Sequence, residues 1–228
     1  MAKIPFDPEL LPVDALAGEA PVPAERLTAA WLRRRFADPL ADWIPEQFDE
    51  ALHRRDGATA AAVLVPLVLR PEGVQLLLTR RTAHLTDHAG QISFPGGRTE
   101  PGDASPTDTA LRETEEEIGL ARRHVEVIGA LPDYHTITGY RVTPVVGLVA
   151  PPFEVHPDAN EVDEIFEVPL AFLMNGMHHQ RMSIALQDGA GGPDSGGRRS
   201  FYAMPYERHF IWGATAGMLR NLFHFLRR

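Results

Sequence analysis

Apolar positions follow the spacing of strands and helices along most of the chain. Two apolar runs, 58–69 and 73–79, are joined by a turn of Arg, Pro, Glu and Gly and so predict a buried β-hairpin. Shorter runs predict further strands at 92–94, 125–131, 142–149 and 164–168. Apolar residues at helical spacing predict helices within 24–53 and at 214–225. Strands and helices in this mixed order indicate an α/β or α+β sandwich.

The clearest helix signal lies at 105–119. Ser105 is suited to cap the start of a helix, Pro106 is favoured at the first helical position, and Asp108 stands where a capping box has an acid. Gly119 is suited to end the helix, because glycine readily adopts the left-handed conformation found there. We therefore predict a helix whose two ends are both defined by local chemistry.

Three carboxylates share one face of this predicted helix. Glu113, Glu116 and Glu117 have the spacing i, i+3, i+4, whereas Glu115 points elsewhere. Each close pair of like charges costs an isolated helix about 0.2–0.5 kcal/mol. A divalent cation would reverse that repulsion, and Mg²⁺ commonly takes a few carboxylates while keeping positions for water and phosphate. A solvated acidic face is the common alternative, but the glycine turn at 94–97 lets backbone approach a ligand and favours a metal site.

The composition excludes several classes of function. The chain has 228 residues and a formal net charge of −9, without the basic stripe that duplex-binding proteins usually carry. It contains no cysteine, which excludes disulfides, thiolate metal sites and cysteine nucleophiles. No apolar run is long enough to span a bilayer, and the N-terminus lacks the pattern of a signal peptide. We therefore expect a cytoplasmic protein that binds neither nucleic acid nor a membrane.

Gly97 and the run 112–120 resemble the Nudix box, G-x5-E-x7-R-E-U-x-E-E-x-G-U, in which U is aliphatic. Counted from Gly97, the lone glutamate slot falls on Asp103, and Arg112 then comes one residue late. Thr114 occupies a slot that is usually aliphatic. The extra residue leaves open whether Asp103 or Glu100 pairs with Arg112.

A second motif lies directly upstream of the box. Residues 77–97, LLTRRTAHLTDHAGQISFPGG, resemble the signature of coenzyme A pyrophosphatases, roughly L-L-T-x-R-S-x-x-L-R-x-H-x-G-x-V-x-F-P-G-G. Thr82, Thr86 and Ile92 stand where that signature has Ser, Arg and Val. The same subfamily tends to carry the longer box. The chain is therefore similar to the coenzyme A pyrophosphatase subfamily of Nudix hydrolases.

This resemblance implies a Nudix-type α/β/α sandwich with a mixed β-sheet, in which the box forms a loop–helix–loop metal site. It implies hydrolysis of coenzyme A or its thioesters to 3′,5′-ADP and 4′-phosphopantetheine, or its acyl form. A Mg²⁺ or Mn²⁺ cofactor would activate the attacking water. The implied metal ligands are the carboxylates of Glu113, Glu116 and Glu117 with the backbone carbonyl of Gly97, and Arg112 is expected to hold Glu113 in place.

The general base is the least defined member of the implied site. Glu161 is our candidate, against either a glutamate of the box or a solvated loop acid without a role. The residues expected to bind the substrate are Arg80, Arg81, His88 and Tyr140. Alternation along a strand predicts that only one of the two neighbouring arginines faces the site.

The expected domain organisation combines this resemblance, which covers roughly 60–170 and 211–215, with the composition of the rest of the chain. Residues 1–25 are rich in Pro and Ala and lack periodicity, so we expect a flexible N-terminal arm that is loose or partly docked. Residues 26–228 are expected to form a single Nudix hydrolase domain with an N-terminal helical extension. The glycine-rich segment 188–199 predicts a flexible loop. A surface loop is also the favoured interpretation of a basic cluster, His178, His179 and Arg181.

Two other functions remain open from the sequence. One is a Nudix hydrolase that acts on another nucleoside diphosphate derivative, such as ADP-ribose or NADH. The other is a Nudix sensor that binds a nucleotide without hydrolysing it, although all three glutamates of the box are present here. In each case the expected partner is a small molecule, and a homodimer is left open.

Overall fold

The computed structural model describes residues 6–38, 43–46, 57–84, 89–185 and 198–228. The strands in this part of the chain are β1 (Val13–Leu16), β2 (Thr59–Arg70), β3 (Gly73–Arg81), β4 (Ile92–Ser93), β5 (Gly96–Arg98), β6 (Val125–Ala130), β7 (Tyr134–His135), β8 (Tyr140–Val149), β9 (Val162–Pro169), β10 (Gln180–Ala185), β11 (Arg198–Tyr206) and β12 (His209–Trp212). The helices there are α1 (Ala29–Ala37), α2 (Pro106–Ile118), α3 (Leu170–Leu173) and α4 (Gly213–Arg227). None of these helices is long and apolar enough to cross a membrane.

Most of the strands form one mixed sheet, in which hydrogen-bonded neighbours follow the order β4-β3-β2-β8-β6. In the same sheet β5 pairs with β2, β7 with β8 and β9 with β3. Strands β2 and β8 run parallel from Thr59 and Tyr140 onward, whereas the other pairs are antiparallel. Strands β2 and β3 form the predicted hairpin, with Arg70 opposite Gly73. The mixed sheet confirms the predicted α/β class.

Alternate residues of β2 contribute to two cores on opposite faces of the sheet, as the period of a strand requires. Leu64 belongs to a core that also contains Ile118 of α2. Val65 and Leu67 belong to a larger core that also contains Phe223 of α4. The sheet therefore lies between α2 and α4, which confirms the predicted sandwich.

Helix α2 has the ends that the sequence predicts. The Ser105 side chain accepts a hydrogen bond from the N–H of Asp108, 3.2 Å away, and Pro106 is the first helical residue. Gly119 adopts the left-handed conformation with φ 69°, and its N–H donates to the carbonyl of Glu115 at 3.0 Å. Because local interactions define both ends of α2, the helical register that places Glu113, Glu116 and Glu117 on one face is also defined.

A second sheet, which the apolar pattern did not predict, has the order β1-β10-β11-β12. Strands β10, β11 and β12 form an antiparallel meander whose inner side packs against α4. In β11, two arginines and a proline interrupt the alternation of apolar and polar residues that would have predicted a strand. Arg198 and Arg199 belong to β11, so the predicted loop 188–199 is wrong at its end; residues 188–197 lie outside the described residues.

The N-terminal segment is docked over much of its length. Strand β1 is the edge strand beside β10, and the N–H of Ala17 donates to the carbonyl of His179 at 2.9 Å. The N–H of Val22 donates to the carbonyl of Met174 at 2.9 Å. Flexibility of this arm in solution stays a prediction. The helical extension is observed only as a 3-10 turn, Ala24–Leu27, and α1; residues 39–42 and 47–56 fall outside the described ranges.

Candidate active site

The glycine strand β5 lies directly against the carboxylate face of α2. The N–H of Gly96 donates to Oε2 of Glu117 at 3.0 Å. A Cβ added to Gly97 would stand 2.5 Å from Oε2 of Glu113, so a side chain at that position would displace the Glu113 carboxylate. Gly96 has φ 149°, and its own Cβ would stand 2.4 Å from the carbonyl oxygen of Ala62. Gly96 is therefore required by the backbone, and the glycine at position 97 leaves room for the Glu113 carboxylate beside the strand.

Two of the three glutamates lie in surroundings that disfavour their charged form. Glu117 is only 5% exposed, and burial raises its pKa to about 7 although the N–H of Gly96 opposes the shift. Burial also raises the pKa of Glu113, against the hydrogen bond from Arg112. Glu116, in contrast, is exposed. A cation placed beside Glu113 and Glu117 would favour their ionised forms.

Arg112 organises the polar side of α2. Its guanidinium makes two parallel bonds to Asp103, Nε to Oδ1 at 2.9 Å and Nη2 to Oδ2 at 3.0 Å. Its Nη1 donates to Oε1 of Glu113 and to Oε2 of Glu116, each at 2.9 Å. Glu100 binds Asp103 through its main chain: its N–H donates to Oδ2 at 2.9 Å, and its carbonyl accepts from the N–H of Asp103 at 3.0 Å. The partner of Arg112 that the sequence left open is therefore Asp103.

The donor set matches a hard divalent cation in its chemistry, since such ions prefer carboxylate and carbonyl oxygens. The glycine at position 97 lets the Glu113 carboxylate lie directly against the Gly97 backbone, where a Cβ would stand 2.5 Å from Oε2. Among the described residues, however, no group of three or more His, Cys, Asp or Glu side chains already has the spacing of a metal site. Glu116 faces Arg112, and because it is exposed it is free to change rotamer. Once the Glu116 side chain has turned away from Arg112, the carboxylates of Glu113, Glu116 and Glu117 fit a divalent metal.

Glu161 lies near Glu113 and Glu117. It is an exposed residue at the turn that leads into β9. Its negative charge contributes to the raised pKa of Glu113 and of Glu117, after the larger effect of burial. The structure thus brings the candidate base to the same region as the candidate metal ligands.

The two neighbouring arginines of β3 point to opposite faces of the sheet, as the strand period predicts. Nη1 of Arg81 lies 3.5 Å from Oε1 of Glu117. Arg80 instead pairs with Glu164, which also accepts hydrogen bonds from Arg208. Arg81 is therefore the arginine that lies at the candidate site, whereas Arg80 lies apart from the glutamates of the box.

Tyr140 and His88 are the other two residues that the sequence predicted to bind the substrate. The hydroxyl of Tyr140 accepts hydrogen bonds from Nε of Arg98 at 2.9 Å and from Nη2 at 2.5 Å. Arg98 was not singled out by the sequence, although its place directly after Gly97 was a usable signal. The carbonyl of Arg98 also accepts from Nη2 of Arg112 at 3.1 Å. His88 lies outside the described residues.

The expected basic surface cluster is wrong in one respect. His179 is fully buried, with Nε2 bonded to the carbonyl of Leu173 at 2.7 Å and Nδ1 3.2 Å from Nη1 of Arg220. Arg220 is itself buried and binds Glu19 of the N-terminal segment. His179 therefore belongs to an internal network and not to a surface loop.

Comparison with known proteins finds relatives of this chain. The uncharacterized Nudix hydrolase NudL of Escherichia fergusonii is 41% identical over 178 residues, which cover 78% of this chain and 86% of that protein. NudL of Escherichia coli K12 has the same identity and coverage. Among solved structures, the Nudix hydrolase RenU from M. smegmatis is 24% identical with a TM-score of 0.42, covering 50% of this chain and 71% of that chain. The NUDIX domain profile matches residues 58–187, and the chain thus belongs to the Nudix hydrolase family.

Proposed function

We propose that this protein hydrolyses the diphosphate bond of coenzyme A or of its thioesters. The products would be 3′,5′-ADP and 4′-phosphopantetheine, or its acyl form. Family membership supports the broader statement that it is a Nudix hydrolase of a nucleoside diphosphate derivative. The narrower substrate rests on the resemblance of residues 77–97 to the coenzyme A pyrophosphatase signature.

One structural observation supports this substrate most directly. The signature segment supplies groups that touch the glutamates of the box: the guanidinium of Arg81 and the N–H of Gly96 contact Glu117, and the backbone of Gly97 lies against the Glu113 carboxylate. The part of the sequence that resembles coenzyme A pyrophosphatases is therefore part of the candidate active site. Substrate choice and diphosphate cleavage would then depend on the same few residues.

The residues suited to hold Mg²⁺ or Mn²⁺ are Glu113, Glu116, Glu117 and the carbonyl of Gly97. When bound, such an ion neutralises charge on the phosphate oxygens and lowers the pKa of water. Family members generally use divalent metals of this kind. Arg112 orients Glu113 through its hydrogen bond to Oε1, and Asp103 in turn holds the guanidinium of Arg112.

The remaining groups have separate tasks in the proposed reaction. Glu161 accepts the proton of the attacking water, whose oxygen forms a new bond to one phosphorus. The bridging P–O bond breaks, and its electron pair leaves with the other phosphate. Arg81 offers a guanidinium that is suited to bind phosphate oxygens in the space next to Glu117.

The test is a comparison of coenzyme A with ADP-ribose and NADH at equal concentration in the presence of Mg²⁺. We expect the highest kcat/KM for coenzyme A or an acyl coenzyme A. A clear preference for ADP-ribose or NADH would contradict the proposed substrate while leaving a Nudix hydrolase. Binding of a nucleotide without cleavage of any of the three would indicate the sensor instead.

A further inference from the structure

The segment that carries Glu161 is hydrogen-bonded to the C-terminal end of α2. The N–H of His156 donates to the carbonyl of Ile118, and the N–H of Asp158 donates to the carbonyl of Glu117, both at 2.8 Å. These bonds satisfy carbonyls in the last turn of α2 that have no partner within the helix. The segment therefore begins at a fixed distance from Glu117.

The segment then closes into a tight turn around Asp158. Oδ1 of Asp158 accepts hydrogen bonds from the main-chain N–H and from Nδ2 of Asn160, each at 2.9 Å. The carbonyl of Asp158 accepts from the N–H of Glu161 at 2.9 Å and from the N–H of Val162 at 2.8 Å. A turn in which an aspartate binds its own following backbone is well defined locally.

Thr82, the residue after β3, binds this turn from the other side. Its hydroxyl donates to the carbonyl of Asn160 at 3.1 Å, and its N–H donates to the carbonyl of Glu161 at 2.9 Å. These two carbonyls belong to the peptide groups before and after the Cα of Glu161. Thr82 itself is only 5% exposed, whereas Asn160 and Glu161 are exposed, so the threonine anchors an exposed turn to the buried end of β3.

We propose that Thr82 is a positioning residue for Glu161. By holding both peptide groups that flank Glu161, it fixes the direction in which the side chain leaves the backbone. The carboxylate is thereby directed to the region of Glu113 and Glu117. This inference rests on the proposed function, in which Glu161 accepts the proton of the attacking water.

The first test compares Thr82→Val, which removes the hydroxyl with little change of shape, with Thr82→Ser, which keeps it. We expect Thr82→Val to lower kcat by about tenfold to a hundredfold with little change in KM, because small displacements of a catalytic group have effects of this size. Thr82→Ser should keep most of the activity. Equal loss in both variants would contradict the proposal.

Thr215→Val is the matched control for a buried threonine hydroxyl. Thr215 is 6% exposed, and its hydroxyl donates to the carbonyl of Ile92 at 3.0 Å, away from the Glu161 turn. We expect this variant to keep the kcat of the unmodified protein. A loss of kcat equal to that of Thr82→Val would show that any missing buried hydroxyl has this effect, and would overturn the proposal.

A double-mutant cycle separates positioning of Glu161 from other effects of Thr82. If Thr82 acts through Glu161, adding Thr82→Val to Glu161→Gln should cause no further loss of kcat. The same fold loss in both backgrounds would overturn the proposal. So would an unchanged kcat in the Glu161→Gln variant alone, because there would then be no base to position.

Amide hydrogen exchange tests the structural step without any substrate. In Thr82→Val the N–H groups of Glu161 and Val162 should exchange faster, whereas in Thr215→Val they should not. Unchanged exchange in Thr82→Val would show that Thr82 does not hold the turn. This result is independent of which nucleotide the enzyme cleaves, so a failure of Thr82 to hold the Glu161 turn is distinguished from a failure of the substrate proposal.

Discussion

The carboxylate of Glu113 occupies the space next to Gly97 that a side chain at position 97 would fill, with Oε2 2.5 Å from the position of a Cβ. The neighbouring helix, through Glu113, thus favours glycine at position 97, whereas at position 96 the local backbone requires it. The strand that leaves the signature and the helix that carries the box are in contact at this point. A change of one methyl group there should disturb the site without disturbing the core.

Replacing Gly97 by alanine tests this contact. The added methyl group should displace the Glu113 carboxylate and lower kcat about a hundredfold, the size expected for a misplacement near 1 Å. Circular dichroism should show an unchanged fold. Gly102→Ala is the matched control, because nothing lies within 4 Å of a Cβ at that position. Activity that survives Gly97→Ala would count against the observed placement of Glu113.

The ion pair of Asp103 with Arg112 should support both activity and stability. Asp103→Asn removes the charge and one of the two parallel acceptors, so Arg112 should hold Glu113 less firmly. We expect kcat to fall about tenfold and the urea midpoint of unfolding to decrease. Glu100→Gln should change neither quantity, because Glu100 binds Asp103 through a main-chain N–H that glutamine keeps. Matching effects of the two substitutions would contradict the assigned partner.

Glu116 tests the proposed metal ligation directly. Glu116→Gln should abolish turnover and weaken Mn²⁺ binding measured by calorimetry. Since Glu116 is an exposed side chain, the free energy of unfolding without metal should change little. Glu115→Gln is the control, because Glu115 is also exposed and pairs with Arg122 at 3.7 Å on another part of the surface. Full turnover by Glu116→Gln would mean that the metal ligands are wrongly assigned.

Buried His179 should make the fold sensitive to mild acid. Burial lowers the pKa of His179 to about 4 from the ordinary 6.5, so the folded protein keeps this ring neutral. Its contribution to stability is fully present above pH 6.5 and is lost as the pH falls from 6.5 toward 4, because the unfolded chain binds the proton first. The loss should be on the order of 3 kcal/mol by pH 4.

Urea unfolding at several pH values between 7 and 4 measures this loss. The free energy of unfolding should decrease more steeply in the unmodified protein than in His179→Gln, which cannot titrate. Parallel curves for the two proteins would show that His179 does not titrate differently on unfolding.

The parts of the fold that the sequence predicted are those defined by local signals. The ends of α2 follow from Ser105, Pro106 and Gly119, each of which acts within one helical turn. Strands β2 and β3 follow from continuous apolar runs joined by a short turn. The second sheet could not be predicted in this way, because β1 pairs with β10, which lies more than a hundred residues later in the chain.

The residues of the candidate site also differ in whether local sequence signals could predict them. The box spacing singled out Glu113, Glu116 and Glu117 as candidate metal ligands, and alternation predicted that only one of Arg80 and Arg81 would face the site. The contact of Thr82 with Asn160 joins residues 78 positions apart, so no local pattern indicates it. The placement of Asp103 opposite Arg112 likewise needed the folded loop, since the one-residue insertion left two acids possible.

Product analysis after incubation with coenzyme A and Mg²⁺ is the most direct measurement of the central claim. Mass spectrometry should detect 3′,5′-ADP and 4′-phosphopantetheine in equal amounts, and neither product should form with Glu116→Gln. Intact coenzyme A, under conditions in which ADP-ribose is cleaved, would contradict the account.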